Sequence, residues 1–323
     1  DGRHALWLRP QGHPFTSPSE VVEIELGARP RLRPTGIEVA RSWDTTMLPL
    51  GEGVAIAEAR RLTFWAEHGR RLVVATELPR AVVGWQQLRG VAADRVRLVR
   101  LTSVGEEAHV QSWDLDLTAR RIQPLADRPL SGAALPSLAL STDGTRLLVS
   151  SGWAGRGGAR LLDAATGEPL AQLAPPVPGG YVTAGFLPGG ELAVVVGHQE
   201  QLVLRLFDRQ GALRREVPLG RGRYAWLGVP WRAGRLPFTA NVRAGESTAR
   251  RWQGELREVD LASGQVRVLG DRLAPVGGAA PWWPGDDTMA AGSPGSQLFR
   301  DHYGTVSHRG PEGGAQRVLP PPG

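Results

Sequence analysis

Internal repetition constrains this chain more than any other feature. An alternating apolar run, then an acidic residue, a small turn and a second alternating run recur along its 323 residues. The clear copies read VQSWDLDLTARRIQPL around Asp114, ARLLDAATGEPLAQL around Asp163, LRLFDRQGALRREVPL around Asp208 and LREVDLASGQVRVL around Asp260. Weaker copies centre on Glu25, Ala66 and His308, so successive anchors lie 41, 48, 49, 45, 52 and 48 residues apart. Strict alternation marks strands, and each copy therefore reads as a hairpin.

A second marker precedes each hairpin, in which two short apolar runs flank a Gly-rich turn. Examples are LALSTDGTRLLV at Asp143-Gly144, AGFLPGGELAVVV at Gly189-Gly190 and PWWPGDDTMAA at Gly285, with further copies at Gly12, Gly53 and Gly234 and the poorest near Asp94. Such turns favour Gly, Asn and Asp because their backbone enters positive φ. The content of 42 Gly and 26 Pro fits many short elements and argues against a helical bundle. Each unit of about 45 residues then holds four antiparallel strands, a, b, c and d, the size and content of a propeller blade. The expected fold is all-β, a seven-bladed β-propeller forming one domain over 1–323. Its blades fall at approximately 1–36, 37–79, 80–127, 134–175, 178–220, 223–271 and 275–320. Apolar residues on both faces of Leu147–Val149 and Leu192–Val196 suit sheets covered on two sides.

The strand-ending pairs Trp113-Asp114, Leu162-Asp163, Phe207-Asp208 and Val259-Asp260 resemble the Trp-Asp of WD-repeat propellers and of related bacterial repeats. Ser141 to Gly144 matches the SxDG turn common in the bacterial kind. The Gly-His pair that opens eukaryotic WD repeats is absent from every unit. The resemblance implies an architecture and leaves function open, because propellers host unrelated activities. LLDAATGEPL also looks like the repeat of quinone-cofactor dehydrogenase propellers. Those carry a docking Trp where this chain has Leu170, Val217 or Leu269, so no quinone and no other cofactor is expected.

All 38 basic residues are arginine, and the formal net charge is +6. The arginine pairs are scattered and interleaved with acids, which is not the gathered footprint that nucleic acid requires. With no Cys, disulfides, thiolate nucleophiles and Cys-ligated metals are excluded. The longest apolar stretches have strand length, so no membrane span is expected. A chain starting at Asp1 reads as processed or trimmed, which leaves room for a cleaved signal or an upstream anchor.

Propeller connectivity brings the d–a and b–c connections to one face, where partners meet the channel mouth. Expected there, as a partner-binding set, are Trp43, Trp85, Trp153, Arg156, Tyr181, His198, Tyr224, Arg243, Arg250, Arg251, His302 and Tyr303. Arg and aromatic residues dominate interface hot spots. The competing reading is that the aromatics wedge between blades. The b–c loops Ala240 to Trp252 and Ala291 to Tyr303 read as the longest. No HExxH, GxSxG or P-loop occurs, and no two carboxylates are tied together by spacing, since Glu106-Glu107 and Asp286-Asp287 read as turn formers, so neither a catalytic set nor a metal site is assigned. The expected function is a non-catalytic scaffold that binds a protein partner, as a subunit or extracytoplasmic adaptor of a larger bacterial assembly, in the periplasm or outside the cell. The alternatives are a lactonase or glycan-active propeller hydrolase, a small-molecule or glycan ligand, and a cytoplasmic location.

Overall fold

The computed structural model describes residues 4–11, 17–25, 31–40, 45–50, 53–67, 71–78, 86–104, 107–130, 136–151, 157–178, 180–227, 234–243, 252–273, 297–300, 306–309 and 315–319. Every regular element among them is a strand, and each strand pairs antiparallel with its sequence neighbours. The chain divides into two compact units.

The first unit comprises residues 1–105, 109–127 and 286–323. It holds the sheets β1 (His4–Pro10), β2 (Ser19–Glu25), β3 (Arg31–Val39); β4 (Thr46–Leu50), β5 (Gly53–Ala57), β6 (Arg61–Ala66), β7 (Arg71–Glu77); and β8 (Gln86–Ala92), β9 (Arg95–Val104), β10 (Glu107–Asp116), β11 (Arg121–Leu130). The second unit, 106–108 and 128–285, holds β12 (Pro136–Leu140), β13 (Arg146–Ser151), β14 (Gly157–Asp163), β15 (Pro169–Val177); β16 (Tyr181–Phe186), β17 (Leu192–His198), β18 (Gln201–Phe207), β19 (Leu213–Arg221); and β20 (Tyr224–Leu227), β21 (Arg235–Arg243), β22 (Trp252–Asp260), β23 (Val266–Leu273). The strands β24 (Gln297–Arg300), β25 (Val306–Arg309) and β26 (Ala315–Leu319) form a three-stranded sheet of the first unit.

Within each unit the sheets stack face to face, and single strands divide their side chains between two neighbours. On β17, Leu192, Val194 and Val196 pack with Leu148, Leu161 and Leu173 of the β12–β15 sheet. Ala193 and Val195 on the same strand pack with Leu236, Phe238 and Val259 of the β20–β23 sheet. In the first unit Val54 and Ile56 of β5 face Val21 and Ile37, whereas Ala55 and Ala57 face Leu88 and Leu98. Period-two side-chain alternation sends consecutive residues to opposite faces. A run that is apolar at every position therefore reports a sheet covered on both sides. Six consecutive residues of β17, Leu192 to Gly197, are buried.

The fourth strands are the outer edges, and they read differently. β7 and β19 are mostly exposed, and β11 is exposed at all but three positions. Pairing to these strands is bulged at Phe64/Trp65, Leu161/Leu162, Leu206/Phe207 and Leu256/Arg257. Bulges, arginines and prolines such as Pro124, Pro169 and Pro218 blunt an edge against pairing with another chain. Single apolar residues stand exposed on these edges, Leu72, Leu170, Leu213 and Val268 among them.

Three details depart from expectation. First, the anchor of the third sheet is displaced. Asp114 lies inside β10 and its carboxylate binds Arg97, while Asp116 two residues later caps the turn by accepting a bond from the Ala119 N–H at 2.7 Å. Second, β1 pairs directly with the Glu25-bearing strand, and β3 runs on to Val39. The first sheet thus has three strands among the described residues, with Ala5–Leu8 beside the anchor strand instead of one strand removed from it. Third, β21 and β22 extend to the Arg243–Trp252 pair, so the ends of the Ala240–Trp252 stretch are strand, and Ala240 is buried.

Candidate functional site

Of the twelve residues expected to bind a partner, Trp43, Trp85, Trp153, Arg156, Arg250, Arg251, His302 and Tyr303 lie outside the described residues. The backbones of Tyr224 and Arg243 are described, opening β20 and closing β21, and their side chains are not. Tyr181 opens β16 at 7% exposure, so its ring belongs to the packed interior and offers little to a partner. His198 closes β17, is exposed, and pairs with Gln201 across a two-residue turn.

That turn, Gln199-Glu200, has φ values of 48° and 61°. Positive φ at both central residues is the type I′ geometry that normally takes Asn and Gly, so two side-chain-bearing residues hold a costly conformation here. The connection from β19 to β20 crosses the same end of the second unit. Gly222 N–H donates to the Glu200 carbonyl at 3.0 Å, and Arg223 N–H to the Asn241 carbonyl at 2.8 Å. His198, the strained turn and the Gly222-Arg223 crossing thus sit together on a backbone-bonded sheet end.

The repeat aspartates are committed to turns. Asp163 Oδ1 accepts from the N–H groups of Ala165 and Thr166 at 2.9 and 2.7 Å. Asp260 Oδ1 does the same for Ala262 and Ser263 at 2.9 and 2.7 Å. Asp208 accepts from the N–H groups of Gln210 and Ala212 and binds Arg214. The backbone bond from Ala212 leads in holding Asp208 below its ordinary pKa, and that from Ser263 does so for Asp260. In the SxDG turn, partial burial pulls Asp143 upward, and this is outweighed by bonds from Ser141, the Thr145 N–H and hydroxyl, and the charge of Arg146. Among the described residues no three His, Asp or Glu gather as a metal site, and no helix is long and apolar enough to cross a membrane.

Several arginines join sheets within a unit. Arg215 of β19 donates to the carbonyls of Leu261, Ala262 and Ser263 at 3.0, 2.6 and 3.1 Å, in the turn after β22. Arg128, in the part of β11 that belongs to the second unit, reaches the Thr166 carbonyl at 3.2 Å in the turn after β14. Arg146 binds the carbonyls of Gly190 and Arg209 in the next sheet.

A polar file on one face of the β8–β11 sheet was also missed. Arg100, fully buried, stacks over Trp113 with 4.9 Å from its guanidinium carbon to the ring centroid, and donates to the Ala59 carbonyl at 3.2 Å. Desolvation lowers its pKa to about 10, which leaves it a cation at neutral pH. Thr102 and Gln111 share this face, each two residues from Arg100 or Trp113 along its strand, and both are buried. Gln111 Nε2 donates to Asp127 Oδ2 at 2.7 Å, and His109 Nδ1 lies 2.8 Å from Asp127 Oδ1. Burial raises Asp127, but the bonds from Gln111 and His109 carry it below its ordinary value. The break of alternation in VRLVRL, where Arg100 falls in phase with Val96 and Leu98, was the available signal.

No protein-family model matches the chain, and no curated protein resembles it in sequence. Among solved structures it resembles β-propeller proteins. An uncharacterised protein of Listeria monocytogenes is 10% identical with a TM-score of 0.58, covering 98% of this chain and 92% of that one. Sqt1 of Chaetomium thermophilum, solved bound to the N-terminus of a ribosomal protein, is 15% identical with a TM-score of 0.56, covering 97% and 82%. Dipeptidyl peptidase 4 of Porphyromonas gingivalis is 13% identical with a TM-score of 0.56, covering 99% of this chain and 51% of that one. At these identities the likeness is one of fold alone, and it spans propellers from a peptidase and from a protein solved with a protein ligand.

Proposed function

We propose that the chain is a non-catalytic, seven-bladed β-propeller scaffold that binds a protein partner at the end of its sheets where the b–c connections emerge, as a subunit or extracytoplasmic adaptor of a bacterial assembly. The observation that carries this reading is the Gln199-Glu200 turn, two non-glycine residues in left-handed backbone beside exposed His198. Strain of this kind persists only where surrounding structure over-determines it, and it clusters at binding surfaces. Sheets covered on both faces supply the rigid support that loop-borne recognition needs.

The test is affinity purification from the source organism with the wild-type chain and with the double variant His198→Ala, Glu200→Arg. A companion recovered at stoichiometric level by the wild type and lost with the variant supports the reading. Equal recovery by both, or no companion, counts against it.

The hydrolase alternative draws on the His109–Asp127 pair, a hydrogen-bonded acid–base couple whose histidine keeps 17% side-chain exposure. Turnover of lactone or glycoside substrates that is abolished by His109→Gln would favour it.

A further inference from the structure

Five arginines among the described residues bind a carboxylate with the same edge of the guanidinium, Nε together with Nη2. Arg97 does so with the two oxygens of Asp114 at 2.8 and 3.0 Å, three residues before Arg100 on the same strand. Arg61 binds Glu58, Arg214 binds Asp208, Arg257 binds Glu255 and Arg267 binds Glu258 through that edge. Arg100 presents this edge with no hydrogen-bond partner on either nitrogen among the described residues, although it is fully buried. Its Nη1 is already engaged by the Ala59 carbonyl, so the unused edge is fixed in orientation by that bond and by the Trp113 ring beneath.

A buried guanidinium with two idle donor nitrogens is strongly unfavourable unless an anion meets it. The planar two-oxygen carboxylate matches the Nε/Nη2 fork. Two further idle atoms lie on the same face: the Thr102 hydroxyl, and Gln111 Oε1. The bond from Gln111 Nε2 to Asp127 fixes the amide orientation, so Oε1 is an acceptor in search of a donor. From Asp127, whose side chain is 53% exposed, the file runs inward to Arg100.

We propose that this file, between the β4–β7 and β8–β11 sheets of the first unit, is a binding site for a small hydroxycarboxylate. The carboxylate sits on the Nε/Nη2 edge of Arg100, the Thr102 hydroxyl adds a bond to it, and the ligand hydroxyl donates to Gln111 Oε1. Full burial of the cation suits a small molecule and excludes a polypeptide segment. This proposal does not rest on the partner-binding reading above.

The test uses the full chain with glycolate, acetate and chloride at matched ionic strength, read by thermal melting. The wild type gains stability saturably with glycolate, with about tenfold weaker half-saturation for acetate, which lacks the hydroxyl and so forgoes one hydrogen bond, and gains none with chloride. Arg100→Met removes both responses, and Gln111→Leu removes only the advantage of glycolate. No saturable response in the wild type, or an unchanged response in Arg100→Met, overturns the site and leaves the file as a water-filled seam. Where Arg100→Met does not fold, proton–nitrogen correlation spectra of the wild-type arginine Nε groups decide. A slowly exchanging Nε–H that moves with glycolate and saturates supports the site, and a full set that stays in place overturns it.

Discussion

Gly264 lies against Arg215: a Cβ built on the glycine would stand 2.9 Å from Arg215 Nη2 and 3.3 Å from a Val217 methyl. The same relationship recurs one repeat earlier, where a Cβ on Gly211 would meet Ala171 at 2.7 Å, and again where one on Gly167 would meet Arg128 at 2.9 Å. The glycine that closes each of these hairpins therefore seats the outer strand of the preceding sheet, in addition to holding a left-handed backbone.

Gly264→Ala thus loses stability twice, through φ at +79° and through displacement of the Arg215 guanidinium from the carbonyls of Leu261, Ala262 and Ser263. Gly234→Ala, at φ +70° with nothing within 4 Å among the described residues, loses it only through the backbone. The first variant is expected to be destabilised by about 2–4 kcal/mol and the second by about 1–2 kcal/mol in urea unfolding. Equal losses would mean that the Arg215 clasp contributes nothing.

Replacing Gln199 by Gly relieves one of the two left-handed residues of the β17–β18 turn. Stability is expected to rise by about 1 kcal/mol in thermal or urea melts, net of glycine's greater freedom in the unfolded chain. Under the partner-binding reading the same variant binds its companion more weakly, so stability and binding move in opposite directions.

Asp143, Asp208 and Asp260 all titrate below their ordinary value in the folded chain. A carboxylate with a depressed folded pKa stabilises fully above the ordinary carboxylate range, and that contribution is lost as pH falls through the range toward the folded value. Stability should accordingly be level from these groups near neutrality and decline below about pH 4. Asp260→Asn keeps an oxygen for the Ala262 and Ser263 N–H groups and should flatten part of that decline, as measured by urea unfolding across pH.

Val194→Ala and Val195→Ala remove methyls from opposite faces of β17. Each is expected to cost about 1–3 kcal/mol. Hydrogen exchange should locate the loosening in different places, in β13 and β14 for the first variant and in β21 and β22 for the second. Loosening spread equally over both sides in either variant would contradict the division of the strand.

Hairpin order, turn positions and two-sided burial were legible because alternation and Gly/Asp turn chemistry are local. Asp163, Asp208 and Asp260 anchor turns where the spacing placed them. Asp114 was misread because Trp-Asp-Leu-Asp offers two acids on one strand face, and only the Arg97 partnership, formed through pairing across strands, separates them. Clasps such as Arg215 to Leu261 join residues 46 apart and leave no trace in either segment alone. The burial of Arg100 is not legible in the repeat because it comes from the β4–β7 sheet, a neighbour that the motif does not reveal.

The odd–even sharing of β17 has a consequence for how such a chain can change over time. Inserting one residue into that strand would exchange the occupants of both flanking layers together, spoiling two interfaces with a single event. Turns between strands answer to no such constraint. Lineages derived from this chain should therefore drift in turn length while holding strand length constant, and the repeat should stay countable long after its letters have diverged.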